Sequence, residues 1–370
     1  MKYHLRIIIL LVLGLWCMSA IAQDEDKAKV DTLDANTIVI KAGNVKVDSA
    51  MAHEKRKDSK GANRLYADAI KEYKKLIKKD KEMFAPYYYI AKVQFKTKDY
   101  QEAITNYTKA IIIDSTHDDA FRDRGIAEVE LSKFDEAKKD FNIALSLNPN
   151  DPVTLYNRGK LAERGKDKQP CFEDYEAALD LKPNYPDVLF RRGMLYANVK
   201  QDYILAVGDF NKVTELDSSY YIAYFWKGKA YYLGTDYKSA NAELSRFLQI
   251  DSNSVEALIM RGAARLNYDD YSNAIRDFDD IIKLEPKNFI ALANRGLAKG
   301  QLKNYNGALE DLDLSIKIKG DYSPAYINRA MVKYMNKDRK GGCADLRKAD
   351  VLNHPKAYEL LQKYCKSEVK

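Results

Sequence analysis

The 370-residue chain is poor in the residues that build catalytic and metal centres. It has 4 cysteines, and no two of them form a CxxC pair. It has 4 histidines (His4, His53, His117 and His354), which lie far apart. No HExxH, GxSxG, GxGxxG or phosphate-binding loop occurs, so zinc-hydrolase, serine-hydrolase and nucleotide-binding chemistry have no sequence support. No metal site or cofactor is expected. Only 9 prolines and 17 glycines are present, too few for a loop-rich all-β protein. The formal net charge is +7, but it sits at the N-terminal end. From Phe84 onward 44 basic residues face 42 acidic ones. That balance gives no nucleic-acid footprint.

One long apolar run exists, from Ile7 to Trp16. Lys2 and Arg6 precede it, and Ala20-Ile21-Ala22 follows with small residues in the small-x-small arrangement. This pattern predicts a signal peptide over 1–22, cleaved after Ala22, and hence an exported, periplasmic or envelope-associated protein. The run is shorter than the ~20 residues of a membrane span, which weighs against an uncleaved anchor. Trp16 beside Cys17 weighs against a lipoprotein. Residues 23–48 show no helical period and read as a flexible spacer. Within them the β-branched stretches 37–40 and 45–47 flank Ala42-Gly43-Asn44, a candidate small hairpin.

What the remainder has is a period. Small residues after Arg or Lys recur at Gly125, Gly159, Gly193, Gly228, Gly262, Gly296 and Ala330, in steps of 34 or 35. Ala91 lies one step upstream. A second series follows twelve residues behind: Ala103, Ala137, Cys171, Ala206, Ala240, Ala274, Ala308 and Gly342. Self-similarity at such a period marks a stacked repeat in which each unit buries a face its neighbour offers. Eight units result: 84–117, 118–151, 152–185, 186–220, 221–254, 255–288, 289–322 and 323–356. Residues 49–83 read as a degenerate first repeat acting as an N-terminal cap, and 357–370 as a C-terminal capping helix.

Counting places from the first residue of each unit, place 8 is small, place 17 aromatic, place 20 small, place 24 aromatic or Leu, and place 32 often Pro. Unit 118–151 shows this as Gly125, Phe134, Ala137, Phe141 and Pro149. The pattern resembles the tetratricopeptide repeat family over about three-quarters of the chain. That resemblance implies an all-α, right-handed superhelical solenoid of helix-turn-helix repeats. It also implies a non-catalytic scaffold that binds a protein or peptide in its concave groove. In that family the groove is lined from places 2, 5, 9, 12 and 13. Here these carry Tyr88, Lys92, Phe95, Arg122, Tyr156, Lys160 and Arg164, then Phe190, Met194, Phe225, Lys229, Tyr232, Met331 and Tyr334. Aromatics with Lys and Arg suit a peptide bearing acidic groups. The family's carboxylate clamp is incomplete: Asn157 matches and Arg122 could replace a Lys, but Ile126 and Asp187 stand where Asn and Lys are needed. A self-assembling spacer and, more remotely, an exported hydrolase with an unrecognised site are the alternatives.

Three features go beyond the consensus. Place 7 is basic in seven successive units: Arg124, Arg158, Arg192, Lys227, Arg261, Arg295 and Arg329. Sixteen or seventeen residues on stands an acid: Asp140, Asp174, Asp209, Glu243, Asp277, Asp311 and Asp345. A ladder of ion pairs between the two helices of each unit is expected. Cys171 fills a small-residue slot and should be a buried thiol. Cys343 and Cys365 fall on the last repeat and the cap helix, where an oxidising compartment would allow a disulfide between them. Finally, unit 152–185 lacks the turn aromatic and carries Pro170 near its second helix, and the next unit holds a one-residue insertion near 198–203.

Overall fold

The computed structural model describes residues 36–365; the predicted signal peptide, its cleavage site, residues 23–35 of the spacer and residues 366–370 lie outside them. Every regular element among the described residues is helical. They divide at Leu181 into two compact units. The first holds α1 (36–55), α2 (Ser59–Lys79), α3 (Phe84–Lys96), α4 (Tyr100–Ile113), α5 (Asp118–Glu130), α6 (Phe134–Leu147), α7 (Pro152–Ala162) and α8 (Gln169–Leu181). The second holds α9 (Pro186–Leu195), α10 (Tyr203–Leu216), α11 (Tyr221–Leu233), α12 (Tyr237–Leu248), α13 (Val255–Asn267) and α14 (Tyr271–Leu284). It continues through α15 (Phe289–Gln301), α16 (Tyr305–Ile318), α17 (Ser323–Met335), α18 (Arg339–Val351) and α19 (Ala357–Tyr364). The fold class is an all-α repeat solenoid.

The two small-residue series let paired helices touch. A Cβ on Gly262 would lie 2.7 Å from the Phe278 ring, and one on Gly296 would lie 2.9 Å from the Ala308 carbonyl oxygen. The place-24 side chains Phe141, Tyr175, Phe210, Leu244, Phe278 and Leu312 fill that contact and are fully buried. Each contributes roughly 2–3 kcal/mol of apolar burial. The ordinary connection between paired helices is three residues long and holds a left-handed residue: Lys98, Ser132, Thr235, Asp269, Lys303 and Lys337 all have φ between 60° and 67°.

The ion-pair ladder is present. Arg124, Arg158, Arg192, Arg261, Arg295 and Arg329 each grip their own unit's aspartate through two nitrogens, at 2.6–3.3 Å. Lys227 pairs with Glu243 at 3.0 Å. Five of the arginines also use Nη1 to reach place 25 of the preceding unit: Thr108, Asn142, Ser245, Asp279 and Asp313, at 2.6–3.2 Å. The ladder therefore ties neighbouring units as well as the helices within one. The aspartates are buried. Two-pronged charge-assisted bonds in such a setting fix register more firmly than exposed pairs.

Two readings of the N-terminal end need correction. Residues 36–48 are neither spacer nor hairpin but part of α1. Gly43, read as a turn glycine, is buried against α2, where a Cβ would meet the Tyr73 ring at 2.3 Å. Asn44 accepts a hydrogen bond from the Tyr73 hydroxyl at 2.7 Å, and Lys46 pairs with Glu72 at 2.8 Å. Val47, Ala50 and Met51 join Tyr66 and Tyr73 in one cluster. Tertiary contact with α2 thus overrides the β-branched composition. The small residues that face α2 are Gly43 and Ala50.

The C-terminal end is capped by α19. Leu360, Leu361 and Tyr364 pack on Ala330, Cys343 and Leu346. Cys343 and Cys365 form a disulfide with Cα atoms 5.9 Å apart. Cys171 is a buried free thiol, its ionisation pushed up to about 11 by burial. The one-residue insertion appears as a π-helical turn, Tyr196–Lys200, closed by left-handed Gln201.

Candidate functional site

The first helices of the repeats carry the predicted groove residues, and the structure sorts them. Lys92, Phe95 and Arg122 come together. With Lys96, Tyr107 and Asp123 they line a cavity of about 300 Å³, which Ile126 and Val153 complete. α3, α5 and α7 supply the walls and α4 the Tyr107 floor. Lys92 is exposed, 5.2 Å from the Tyr88 ring centroid. Arg122 is held by Asp123 at 2.9 Å and Asp151 at 3.2 Å. The cavity's formal charges are Lys92, Lys96 and Arg122 against Asp123 alone.

Other predicted groove residues serve packing. Tyr88 is 7% exposed, and its hydroxyl donates to Asp123 at 2.9 Å. Burial, then Asp123 and Asp119, push its ionisation far above the ordinary range. Phe225 is 6% exposed, packed on Trp226 and Phe247. Tyr334 belongs to the C-terminal cap: it packs on Tyr364, and its hydroxyl donates to the sulfurs of Cys343 at 2.8 Å and Cys365 at 3.0 Å. These three side chains are taken up in packing. Phe190 packs on Phe210 and Tyr220, with Met194 in the same cluster. Tyr156 lies 6.3 Å from Tyr175, and Tyr232 lies 5.6 Å from the turn residue Tyr237.

Lys160 is exposed and Met331 half-buried. Lys229 pairs with Glu256 at 3.3 Å and lies 4.7 Å from Trp226. Arg164 is exposed and stacks 3.9 Å from Phe134, away from the 300 Å³ cavity. Five cavity residues were missed: Lys96, Tyr107, Asp123, Ile126 and Val153. Lys96, Ile126 and Val153 occupy places 13, 9 and 2, so the same place rule applied to every side chain would have found them, whereas Tyr107 and Asp123 stand outside those places.

A tetratricopeptide repeat family model matches residues 58–118 and 122–186. The same register then runs on to α18. Over these residues the chain is similar to the tetratricopeptide repeat family. The protein is 33% identical over 84 residues to the mitochondrial import receptor subunit TOM70 of Rattus norvegicus, covering 21% of this chain and 14% of that relative's length. Among solved structures it is similar to a tetratricopeptide repeat protein from Parabacteroides merdae, at 19% identity and a TM-score of 0.47, covering 66% of this chain and 97% of that one. It is also similar to the C-terminal part of a repeat-containing protein from Cytophaga hutchinsonii, at 20% identity and a TM-score of 0.47, covering 74% and 98%. Proteins of this fold are in general protein-interaction scaffolds. Among the described residues no helix is long and apolar enough to cross a membrane, and no group of three or more His, Cys, Asp or Glu could hold a metal ion.

Proposed function

We propose that this protein is a binding scaffold whose first-helix face over α3, α5 and α7 takes a segment of another protein that carries acidic groups. The observation that supports this reading is the 300 Å³ cavity, which sets Phe95 and Ile126 beside the cations Lys92, Lys96 and Arg122. Arg122 is already fixed by two aspartates, so it offers its remaining donor capacity from a pre-set position. Pre-ordering lowers the cost of binding. Lys92 and Lys96 are exposed and supply the attraction that acidic groups would feel.

The proposal extends to location: export through the segment 1–22, and action in the cell envelope. The apolar run with its Ala20-Ile21-Ala22 end supports it, and the Cys343–Cys365 disulfide suits an oxidising compartment. The test is photo-crosslinking in intact cells from a probe placed at Ile126. A discrete partner should be captured, and the double change Lys92→Glu with Lys96→Glu should abolish that capture. Capture that survives the charge reversal refutes the site. Recovery of only this chain would favour the self-assembling spacer instead. A mature protein beginning at Gln23 by mass spectrometry is the expected result for export.

A further inference from the structure

In four of the repeats the place-11 side chain reaches the place-23 side chain of the second helix. Gln94 accepts from Asn106 at 2.8 Å. Lys299 and Lys333 reach Asp311 at 2.7 Å and Asp345 at 2.8 Å. Arg265 does most: it donates to Asp277 at 2.7 Å, to the Asn273 carbonyl at 3.2 Å and to Asn241 of the preceding unit at 2.9 Å. In these last three units the ladder aspartate or its equivalent thus receives a second cation from its own repeat.

Unit 152–185 differs from these four. Its place 11 is Ala162, whose methyl group reaches nothing comparable. In the space beside Ala162 lies a cavity of about 620 Å³. Its walls include Lys138, Pro170 and Asp174, the residues at the sequence places of Asn241, Asn273 and Asp277. Asp174 is buried, with Arg158 at 2.7 Å as its ladder cation. Asp135, Asp167 and Glu173 add carboxylates to the lining, and Phe134 and Leu161 add apolar wall. The cavity opens where the α7–α8 connection is six residues long in place of the usual three, and Lys168 turns back to the Glu163 and Gly165 carbonyls.

We infer that this cavity is a receptor for an arginine side chain of a partner protein, which would occupy the slot that Arg265 fills from within in unit 255–288. The guanidinium would donate to Asp174 and the Pro170 carbonyl, as Arg265 does to their counterparts. Its aliphatic stem would lie along Leu161, beside Arg164, which itself stacks 3.9 Å from Phe134. Acceptors spread over α6 and α8 suit a planar fork better than a point charge, since an arginine serves several acceptors at once. The eight charged residues of the lining balance, four of each sign, so a further cation enters without net repulsion. This site is separate from the α3–α5–α7 face and does not rest on it.

The test uses the full chain and saturation-transfer NMR with three probes: N-acetyl-arginine amide, N-acetyl-lysine amide and N-acetyl-citrulline amide. The arginine probe should bind at least tenfold more tightly than the citrulline probe, which keeps the shape and loses the charge. The lysine probe should fall between them. Ala162→Arg should fill the slot from within and abolish the arginine signal, whereas Lys92→Glu with Lys96→Glu should leave it unchanged. Equal binding of arginine and citrulline probes, or an arginine signal that persists in Ala162→Arg, overturns the inference.

Discussion

Replacing Asp277 by alanine strips two arginines of the carboxylate they share. Asp277's side chain is 2% exposed; Arg261 and Arg265, at 2.6 and 2.7 Å, are 17% and 15% exposed. Removing one member of a buried ion pair leaves uncompensated charge and costs about 3–5 kcal/mol. Here two cations lose the partner, although Arg261 keeps Ser245 and Arg265 keeps Asn241 and the Asn273 carbonyl. The expected cost is therefore within that range and not double it. The triple change Asp277→Leu, Arg261→Met, Arg265→Met removes every charge together and should cost far less, since apolar replacement of a whole buried network is often close to neutral. Urea unfolding followed by circular dichroism gives the global cost. Hydrogen exchange locates it, and because a solenoid's stability is a sum over neighbours the loss should centre on α12 to α14. A single-mutant cost under about 1 kcal/mol, the value of an exposed pair, would refute the claim that the ladder acts as a buried network.

Three further outcomes are expected. Cys343→Ser should loosen the C-terminal cap by about 3 kcal/mol, from the lost loop constraint over a 22-residue separation; exchange protection of Ala357–Tyr364 should fall, and unchanged protection would show that packing alone holds α19. Glu128, at place 11 of unit 118–151, is buried with Oε2 lacking a hydrogen-bond partner; burial and then Asp140 raise its ionisation from 4.5 to about 7. The folded state then holds more protons than the unfolded state between these values, so this group's contribution is greatest at acid pH and is lost as pH rises through about 7. Glu128→Gln should accordingly gain stability over the parent at pH 8 and not at pH 4, by urea titration at both; a difference independent of pH would be inconsistent with that titration. Gly296→Val should cost about 1–3 kcal/mol in the same assay, because its Cβ would meet the Ala308 carbonyl at 2.9 Å and Leu312 at 2.7 Å; a neutral result would mean that α15 and α16 separate freely.

What could be read beforehand follows from repetition. The ladder was legible because a basic residue and an acid recur sixteen or seventeen residues apart through seven units, so chance alignment was improbable even without coordinates. α1 was not legible for the opposite reason. It occurs once, its β-branched residues favour a strand, and Gly43 has the look of a turn until Tyr73 is seen beside it. The candidate site stands between these cases. The family's places named Lys92, Phe95 and Arg122, which line one cavity. They could not show that Tyr88 would be absorbed by Phe84 and Tyr107, or Tyr334 by a disulfide, because those depend on side chains from other helices. Ala162 is a conspicuous absence only after place 11 has been seen to reach place 23 elsewhere.

The arginine ladder also bears on how such a chain can change length. Each of five arginines looks forward to its own aspartate and backward to an acceptor in the unit before it. A unit copied in tandem would arrive with both halves of that linkage, a fork facing one way and an acceptor facing the other. A unit excised whole would leave its neighbours able to join hands. Gain or loss of a complete 34-residue block thus leaves no charge stranded, whereas gain or loss of a partial block breaks two links at once. The ladder makes the repeat the natural quantum of variation for this protein.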